Sequence, residues 1–406
     1  MHLFLFLVCL LKLTKADRTY NTLLPCIKDN PLLSLDFVKA MDAWALPVDA
    51  ESHYRELLKK TEKFRNHPSH EVHGFKGPWI ENKWIERNIG KPLSSFNGLI
   101  PLFVQFVDIH ANGFLGKGID HGYYKRLFES MGEEIADMLR KDVLYVTVSQ
   151  DDEGIAYKDR AGLFQIRPNI LVFSAGGYGH IPIPLIKNAL QYVEPPVTYK
   201  WDVGFYGAPG QNITRRALLD EAIDEIKAAT TFSINMAQNP AWKKNMLDTK
   251  FNLAPRGFGR TSYRLAELVQ MGKLPVYLYS DAAWLPYQGT EYSVAVFGIS
   301  SKRGQGKHLA RKLLTIHNNN NEHAPLSSVG SPGSSTTSSG NGSHASGKNG
   351  DSAVEIGFAA RLKMVREAAP YYTLEGVLAQ IELFLKDPLG PNGGYLRCER
   401  VPSTVI

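Results

Sequence analysis

The sequence predicts an α/β chain of two successive units, each a mostly parallel sheet covered by helices. Three observations carry that expectation. Apolar β-type runs alternate with amphipathic helical stretches, and a Pro-rich break at Glu194-Pro195-Pro196 divides the alternation in two. The chain has 406 residues, 44% hydrophobic and 21% charged, enough for two sizeable cores.

Leu102 to Ile109, Val143 to Val148 and Ile170 to Phe173 are rich in β-branched and aromatic residues, as buried central strands should be. Tyr123 to Leu139 reads as a helix, and Arg140 and Lys141 after it suit a helix C-terminus. In the second unit Val203 to Tyr206 reads as a strand, and Thr214 to Ala229 as a helix with Leu219, Ile223 and Ile226 on one face. Leu274 to Tyr279 and Tyr292 to Phe297 are expected as further strands. From Lys302 the character changes, through an Asn run at 318–321 to a Ser/Gly/Thr/Asn tract that ends at Gly350. Such a segment buries too little apolar surface to offset its ordering entropy, roughly 1–2 kcal/mol per residue, so 302–352 is expected to be a disordered insertion. Structure resumes at Ala353, and Thr373 is placed to cap a helix whose stripe of Leu374, Val377, Leu378, Ile381 and Leu385 must dock on one of the units. The expected divisions are 1–16, 17–194, 195–301, 302–352 and 353–406.

Residues 1–16 read as a secretory signal peptide: an apolar run from Leu3 to Leu11, too short to span a bilayer, followed by small residues at Thr14 and Ala16. Its removal takes Lys12 and Lys15 and lowers the formal charge from +6 to +4. It also takes Cys9, leaving Cys26 and Cys398, which can pair in an oxidising compartment and would tie the tail to the first unit. Asn212-Ile-Thr and Asn341-Gly-Ser are glycosylation acceptors on the same premise. A mild, scattered positive charge excludes nucleic acid as the expected partner. The histidines and cysteines show no zinc-type spacing.

The chemically informative stretch is Phe251 to Leu278. A β segment ends near Ala254, a loop carries Arg256, Gly257, Gly259 and Arg260, Thr261 or Ser262 caps a helix, and Gly272 closes it before another buried strand. A glycine loop feeding a helix N-terminus suits a phosphate. Arg264 and Glu267 share a helix face at i and i+3, where they form either an ordinary surface ion pair or a pyrophosphate-and-ribose clamp. Candidate bases are Asp151 beyond the 143–148 strand, then Asp108 and His110; each can equally be a loop cap or a surface side chain. Gly176-Gly177-Tyr178-Gly179-His180 reads first as a tight turn.

This stretch resembles the C-terminal signature of the exostosin-type glycosyltransferases. The matching residues are Phe251-Asn252-Leu253-Ala254-Pro255-Arg256-Gly257, Arg264-Leu265-Ala266-Glu267 and Gly272-Lys273-Leu274-Pro275-Val276. Leu285-Pro286-Tyr287 with Tyr292-Ser293-Val294 resembles a further family strand. Gly207 to Arg216 resembles its Gly…Arg loop, and Tyr145 to Gly154 a strand that ends in His-Asp-x-Gly. The similarity spans roughly Gly98 to Ile299. Asn252 and Lys273 stand where the family has cysteines, and Gln150 where it has a histidine.

The resemblance implies a GT-B arrangement, two Rossmann-like domains facing a cleft with C-terminal helices crossing back. It implies a nucleotide-sugar donor, with UDP-sugar expected, on the second domain and a glycan or glycoprotein acceptor on the first. Inverting transfer in the Golgi lumen or after secretion follows from it. With no Asp-x-Asp motif in the donor half, Arg256 and Arg264 are expected to hold the diphosphate and Glu267 the ribose, with no divalent metal and no permanently bound cofactor. The alternative is a non-catalytic secreted glycan-binding protein on the same scaffold.

Overall fold

The computed structural model describes residues 47–69, 71, 75–114, 120–152, 154–155, 169–187, 189–210, 212–319, 356–387 and 391–397. The leader at 1–16, Cys26, Cys398 and Asn341 lie outside the described residues.

The β runs assemble into two parallel sheets. The first has β1 (Ile100–Pro101), β2 (Tyr145–Ser149), β3 (Ile170–Ser174) and β4 (Ile181–Pro182) in the order β1-β2-β3-β4. All their residues are buried, which is why these segments are continuously apolar. The second has β5 (Trp201–Tyr206), β6 (Ile234–Ala237), β7 (Thr249–Pro255), β8 (Pro275–Tyr279) and β9 (Ile299–Lys302) in the order β6-β5-β7-β8-β9. The chain leaves β5 to one side for β6 and returns to its other side for β7. The winding reverses between β5 and β7.

In the first unit the helices are α1 (Ala50–Lys60), α2 (Ile80–Asn88), α3 (Phe106–Phe114) and α4 (His121–Met138). Asp120 starts α4 by accepting from the Tyr123 N–H, and Leu127, Phe128, Met131 and Ile135 form its buried face. In the second unit α5 (Ile213–Ala229), α6 (Trp242–Leu247), α7 (Tyr263–Gln270), α8 (Val294–Phe297) and α9 (Gly306–Asn318) surround the sheet. Then come α10 (Phe358–Ala368) and α11 (Leu374–Lys386).

Three expectations are corrected. The run Leu102 to Ile109 is not a strand: β1 pairs only at Ile100–Pro101, and α3 begins at Phe106. The cause is Glu81, whose buried carboxyl accepts from the Val107 N–H and so supplies the first turn of α3 with a partner. Tyr292 to Phe297 is not a strand either. Ser293 caps the short helix α8, and the Arg361 guanidinium gathers the Val296, Phe297 and Gly298 carbonyls at its end, leaving the edge strand to Ile299–Lys302. The expected disorder from residue 302 begins too early, because α9 occupies 306–318. Leu309, Ala310, Leu313 and Ile316 of α9 form a buried stripe against α5, and the Ser/Gly-rich composition sets in only beyond it.

Residues 183–187 and 189–200 form a strap from the first sheet to the second, and Glu194-Pro195-Pro196 lies within it. The C-terminal helices join the units again. α10 packs on α7 and α8, whereas α11 returns to the first unit beside α2. There Phe384 stands edge-on to Phe173 of β3 with ring centroids 5.3 Å apart. Thr373 caps α11, and Val377, Leu378, Ile381 and Leu385 are buried, so the expected stripe is the docked face.

Phe384→Ala should therefore cost about 3–5 kcal/mol, the usual price of a large cavity in a core. Urea denaturation checks it, and a loss under 1 kcal/mol would mean that α11 is not part of the first core.

Candidate functional site

A cavity of about 630 Å³ opens at the carboxyl ends of β5 and β7. That is where the winding reverses, and in an open parallel sheet the loops there diverge and leave a crevice. Gly207 and Ala208 after β5, and Gly257, Phe258 and Thr261 to Arg264 after β7, form its second-unit walls. Asp152 beyond β2 and Leu185, Lys187 and Leu190 of the strap close it from the other side. The volume is in the range of small-ligand sites.

The predicted helix start is confirmed. Ser262 is the N-cap of α7, its hydroxyl accepting from the Arg264 N–H, and Gly272 takes a left-handed φ of +71° just past the helix. Thr261 to Arg264 thus present the positive end of α7 to the cavity. Arg264 lies over the Trp242 ring at 4.4 Å, donates to the Tyr206 carbonyl and pairs with Glu267 at 3.0 Å. Both Arg264 and Glu267 line the cavity. Arg215 of α5 joins them, held by the Ala208 and Arg256 carbonyls at 3.2 and 3.3 Å. Lys187 comes from the strap and lies 4.5 Å above the Tyr263 ring, and Lys243 lines the cavity from α6. Cations therefore outnumber the carboxylates Asp152 and Glu267. Burial pulls Lys187, Arg215 and Arg264 below their ordinary values; Glu267 opposes this for Lys187 and Arg264, and Asp152 for Arg215.

Arg256 and Arg260 are elsewhere. Arg256 donates through Nε to Gly259 O at 2.9 Å, through Nη2 to Phe258 O at 3.0 Å, and through Nη1 to Ser280 and Asp281. Arg260 donates to the second Asp281 oxygen at 2.9 Å and to Gly177 O at 3.1 Å, and lies over the Tyr178 ring at 4.6 Å. Neither lines the cavity; they build its floor loop. Burial works to raise the Asp281 carboxyl, but the charges of Arg256 and Arg260 outweigh it and hold Asp281 below the usual carboxylate range. Gly257 lines the cavity, although its N–H is bonded to Thr261 O at 2.7 Å. Gly259 serves close packing: a Cβ there would stand 2.2 Å from Gly176 O and 2.6 Å from Asp152 O. The 176–180 segment is an irregular loop between the parallel strands β3 and β4, not the expected tight turn, and the second unit packs against it.

The three base candidates separate. Asp108 is fully buried, with its oxygens accepting from Trp79 Nε1 at 2.8 Å and Asn82 Nδ2 at 2.6 Å; burial raises it, and it ties α2 to α3. Asp151 and His110 are brought together, Nδ1 to Oδ2 at 2.7 Å. Asp152, which the sequence reading passed over, faces the cavity. Burial, then the charge of Asp151, pushes it up to about 6 against the pulls of His110, the Gly259 N–H and Arg215. Gln150 accepts from Ile80 N at 2.9 Å and donates to Ile186 O at 2.6 Å. Asn212 caps α5 and turns its Nδ2 inward to Gly257 O at 3.2 Å, which sets the amide that would carry a glycan against the cavity wall. Among the described residues no helix is long and apolar enough to cross a membrane.

The cavity residues missed in the sequence were Asp152, Lys187, Arg215 and Lys243. Arg215 lay within the Gly207–Arg216 loop already singled out, and Asp152 beside Asp151; nothing local marks Lys187. The chain matches neither a protein-family model nor a curated protein.

Asp152 yields a pH test. Its proton is held more tightly in the folded chain, at about 6, than at the ordinary value of 3.8. The folded state therefore loses stability as pH rises between these values, with no penalty below pH 4 and the full penalty above pH 6. Asp152→Asn should raise stability above pH 6 by roughly 2–3 kcal/mol and leave it unchanged near pH 4, as read by thermal unfolding against pH.

Proposed function

We propose that the chain is an inverting glycosyltransferase of the exostosin type, with its two parallel-sheet units in a GT-B arrangement. In this reading it moves a sugar from a nucleotide diphosphate, UDP first, onto a glycan or glycoprotein in the Golgi lumen or after secretion. The observation that carries the reading is the convergence of Lys187, Arg215 and Arg264 on one cavity at the β5/β7 reversal, with Glu267 beside them. Three partly buried cations beside the N-termini of α5 and α7 suit a diphosphate, and they suit it best when its charge grows as the sugar departs. In this reading Glu267, which lines the cavity beside Arg264, accepts from ribose hydroxyls. Arg256, expected from the sequence to touch the phosphates, acts one layer out by holding the loop.

The base in this scheme is Asp152, the cavity-facing carboxyl. The acceptor hydroxyl oxygen attacks the anomeric carbon on the face opposite the diphosphate and its proton passes to Asp152. The bond from the anomeric carbon to the diphosphate oxygen breaks with its electron pair, and the cations take up the resulting charge. A raised carboxyl is a better base than an ordinary one. The charge of Asp151 helps to keep Asp152 raised, and His110 opposes it. Charge neutralisation by side chains leaves no requirement for a divalent ion.

A thermal-shift panel of nucleotide diphosphates and nucleotide sugars, with and without EDTA, tests the reading. A ligand at about 100 times its Kd stabilises the fold by about 2.7 kcal/mol. The expected result is a shift with one nucleotide class, abolished in Arg264→Ala, weakened in Arg215→Ala and indifferent to EDTA. Folded protein that responds to no nucleotide would sink the transferase and favour the glycan-binding alternative. Asp152→Asn should keep the nucleotide shift and lose at least about 10²-fold in turnover.

A further inference from the structure

We infer that Phe258, in the loop between β7 and α7, is the stacking platform for the sugar ring of the acceptor; this rests on the donor-site reading above. Phe258 is 54% exposed, whereas every other residue of 251–262 is buried. Leaving the ring in water runs against the burial of apolar surface, and the ring lines the cavity. Four aromatic side chains do so: Phe205, Trp242, Phe258 and Tyr263. Phe205 is buried, Arg264 covers the Trp242 ring at 4.4 Å, and Lys187 covers the Tyr263 ring at 4.5 Å. Phe258 alone of the four is exposed, and among the described residues no ring or cation covers it.

The loop fixes where that ring stands. Arg256 donates to the Phe258 carbonyl at 3.0 Å and to the Gly259 carbonyl at 2.9 Å, so the backbone is held at the ring and beyond it. On one flank Gly257 accepts from Asn212 of α5 at 3.2 Å and lies against Arg215, where a Cβ would stand 3.2 Å from Nη2. On the other flank Gly259 gives its N–H to the carboxyl of Asp152. Phe258 thus stands between a cation that receives the departing diphosphate and the base that receives the acceptor's proton. The ribose end is marked by Glu267, which pairs with Arg264 over Trp242 and away from Gly259. A sugar that offers its hydroxyl to Asp152 therefore meets Phe258, and the nucleobase does not. The C–H face of such a sugar is apolar and slightly positive, which suits the negative face of a phenyl ring. A loop already fixed by Arg256 need not be ordered when the sugar binds.

The test is NMR of methyl glycosides of the common hexoses, pentoses and N-acetylhexosamines added to the full chain saturated with UDP or GDP. Nucleotide affinity is measured alongside by calorimetry. In the wild type the C–H protons of one sugar face should receive magnetisation from the protein and shift upfield under the ring current. Phe258→Ala should weaken glycoside binding by about tenfold, the order of one aromatic contact, and remove the upfield shift. Its melting temperature and nucleotide Kd should stay as in the wild type, because the ring makes no buried contact. Phe258→Trp should restore both the affinity and the shift. Equal glycoside binding in wild type and Phe258→Ala overturns the role of Phe258 while the donor site stands. So does wild type that binds nucleotide but no glycoside, or that binds one without an upfield shift. A nucleotide Kd that rises in Phe258→Ala makes the ring a nucleobase contact and overturns the acceptor assignment. Folded wild type that binds neither nucleotide overturns the donor site and this inference together. The upfield shift in the wild type decides the matter even if a variant fails to fold.

Discussion

One carboxylate between two guanidiniums sets the geometry on which the cavity depends. Asp281 emerges just beyond β8 and takes Arg256 on one oxygen and Arg260 on the other. Both arginines are nearly buried, and their remaining donors reach backbone carbonyls of the same loop and of Gly177 in the other unit. Two desolvated cations around one anion are tolerable only because those carbonyls complete their hydrogen bonding. The return is positional. The 256–260 loop is pinned to β8 on one side and to the loop beyond β3 on the other, and the Arg260 N–H donates to Gly176 O at 2.7 Å. Trp284 adds a second tie across the units, Nε1 to Ser174 O at 2.9 Å. Glycine is required at 176, 177 and 259 because backbones meet there without room for a Cβ.

With that loop fixed, the charge distribution of the cavity follows from topology. The reversal between β5 and β7 opens the crevice. α5 and α7 start at its edge, each capped by a polar side chain, Asn212 and Ser262. Arg215 and Arg264 stand in the first turns of those helices, where a cation opposes the helix dipole and is ordinarily disfavoured. Their presence in the least favourable turn, partly desolvated and near Lys187, concentrates positive potential that Glu267 and Asp152 only partly offset. Such an arrangement has its best partner in an anion entering from solvent.

The sequence was most readable where periodicity decides structure. β2, β3, β5 and β8, the helices α4, α5 and α11, and the Ser262–Gly272 limits of α7 were all visible in apolar spacing and capping residues. It was least readable where a distant side chain decides. Leu102 to Ile109 has the composition of a strand, yet Glu81 converts its second half into a helix start. Ser293 and Arg361 do the same for Val294–Phe297. Within the site, Arg264 and Glu267 were legible because one helix turn sets their spacing. Arg256 was legible as an arginine in the right loop but not as one whose donors are already taken. That distinction lay in Asp281, 25 residues on in the chain and without a local signal. Asp152 was obscured by its neighbour: of two consecutive aspartates, only the pleat and turn after β2 decide which one reaches the cavity and which one reaches His110.

Gln150 joins three elements through one side chain. Its amide faces both ways, the oxygen accepting from the first N–H of α2 and the nitrogen donating to Ile186 O in the strap. The Gln150 backbone N–H is in turn held by Glu81, at 2.7 Å. Glu81 is fully buried, which pushes its carboxyl well above the usual range against the pull of the Val107 and Gln150 N–H groups, and it joins α3 to the end of β2. An imidazole at position 150 has one donor and one acceptor as well, but on a rigid ring that fixes the angle between them, whereas the amide rotates as a unit on a longer stem. Gln150 thereby serves as a joint between sheet, helix and strap, one residue before Asp151 and two before Asp152. With Gln150 fully used for support, its neighbours Asp151 and Asp152 are the groups that reach His110 and the cavity.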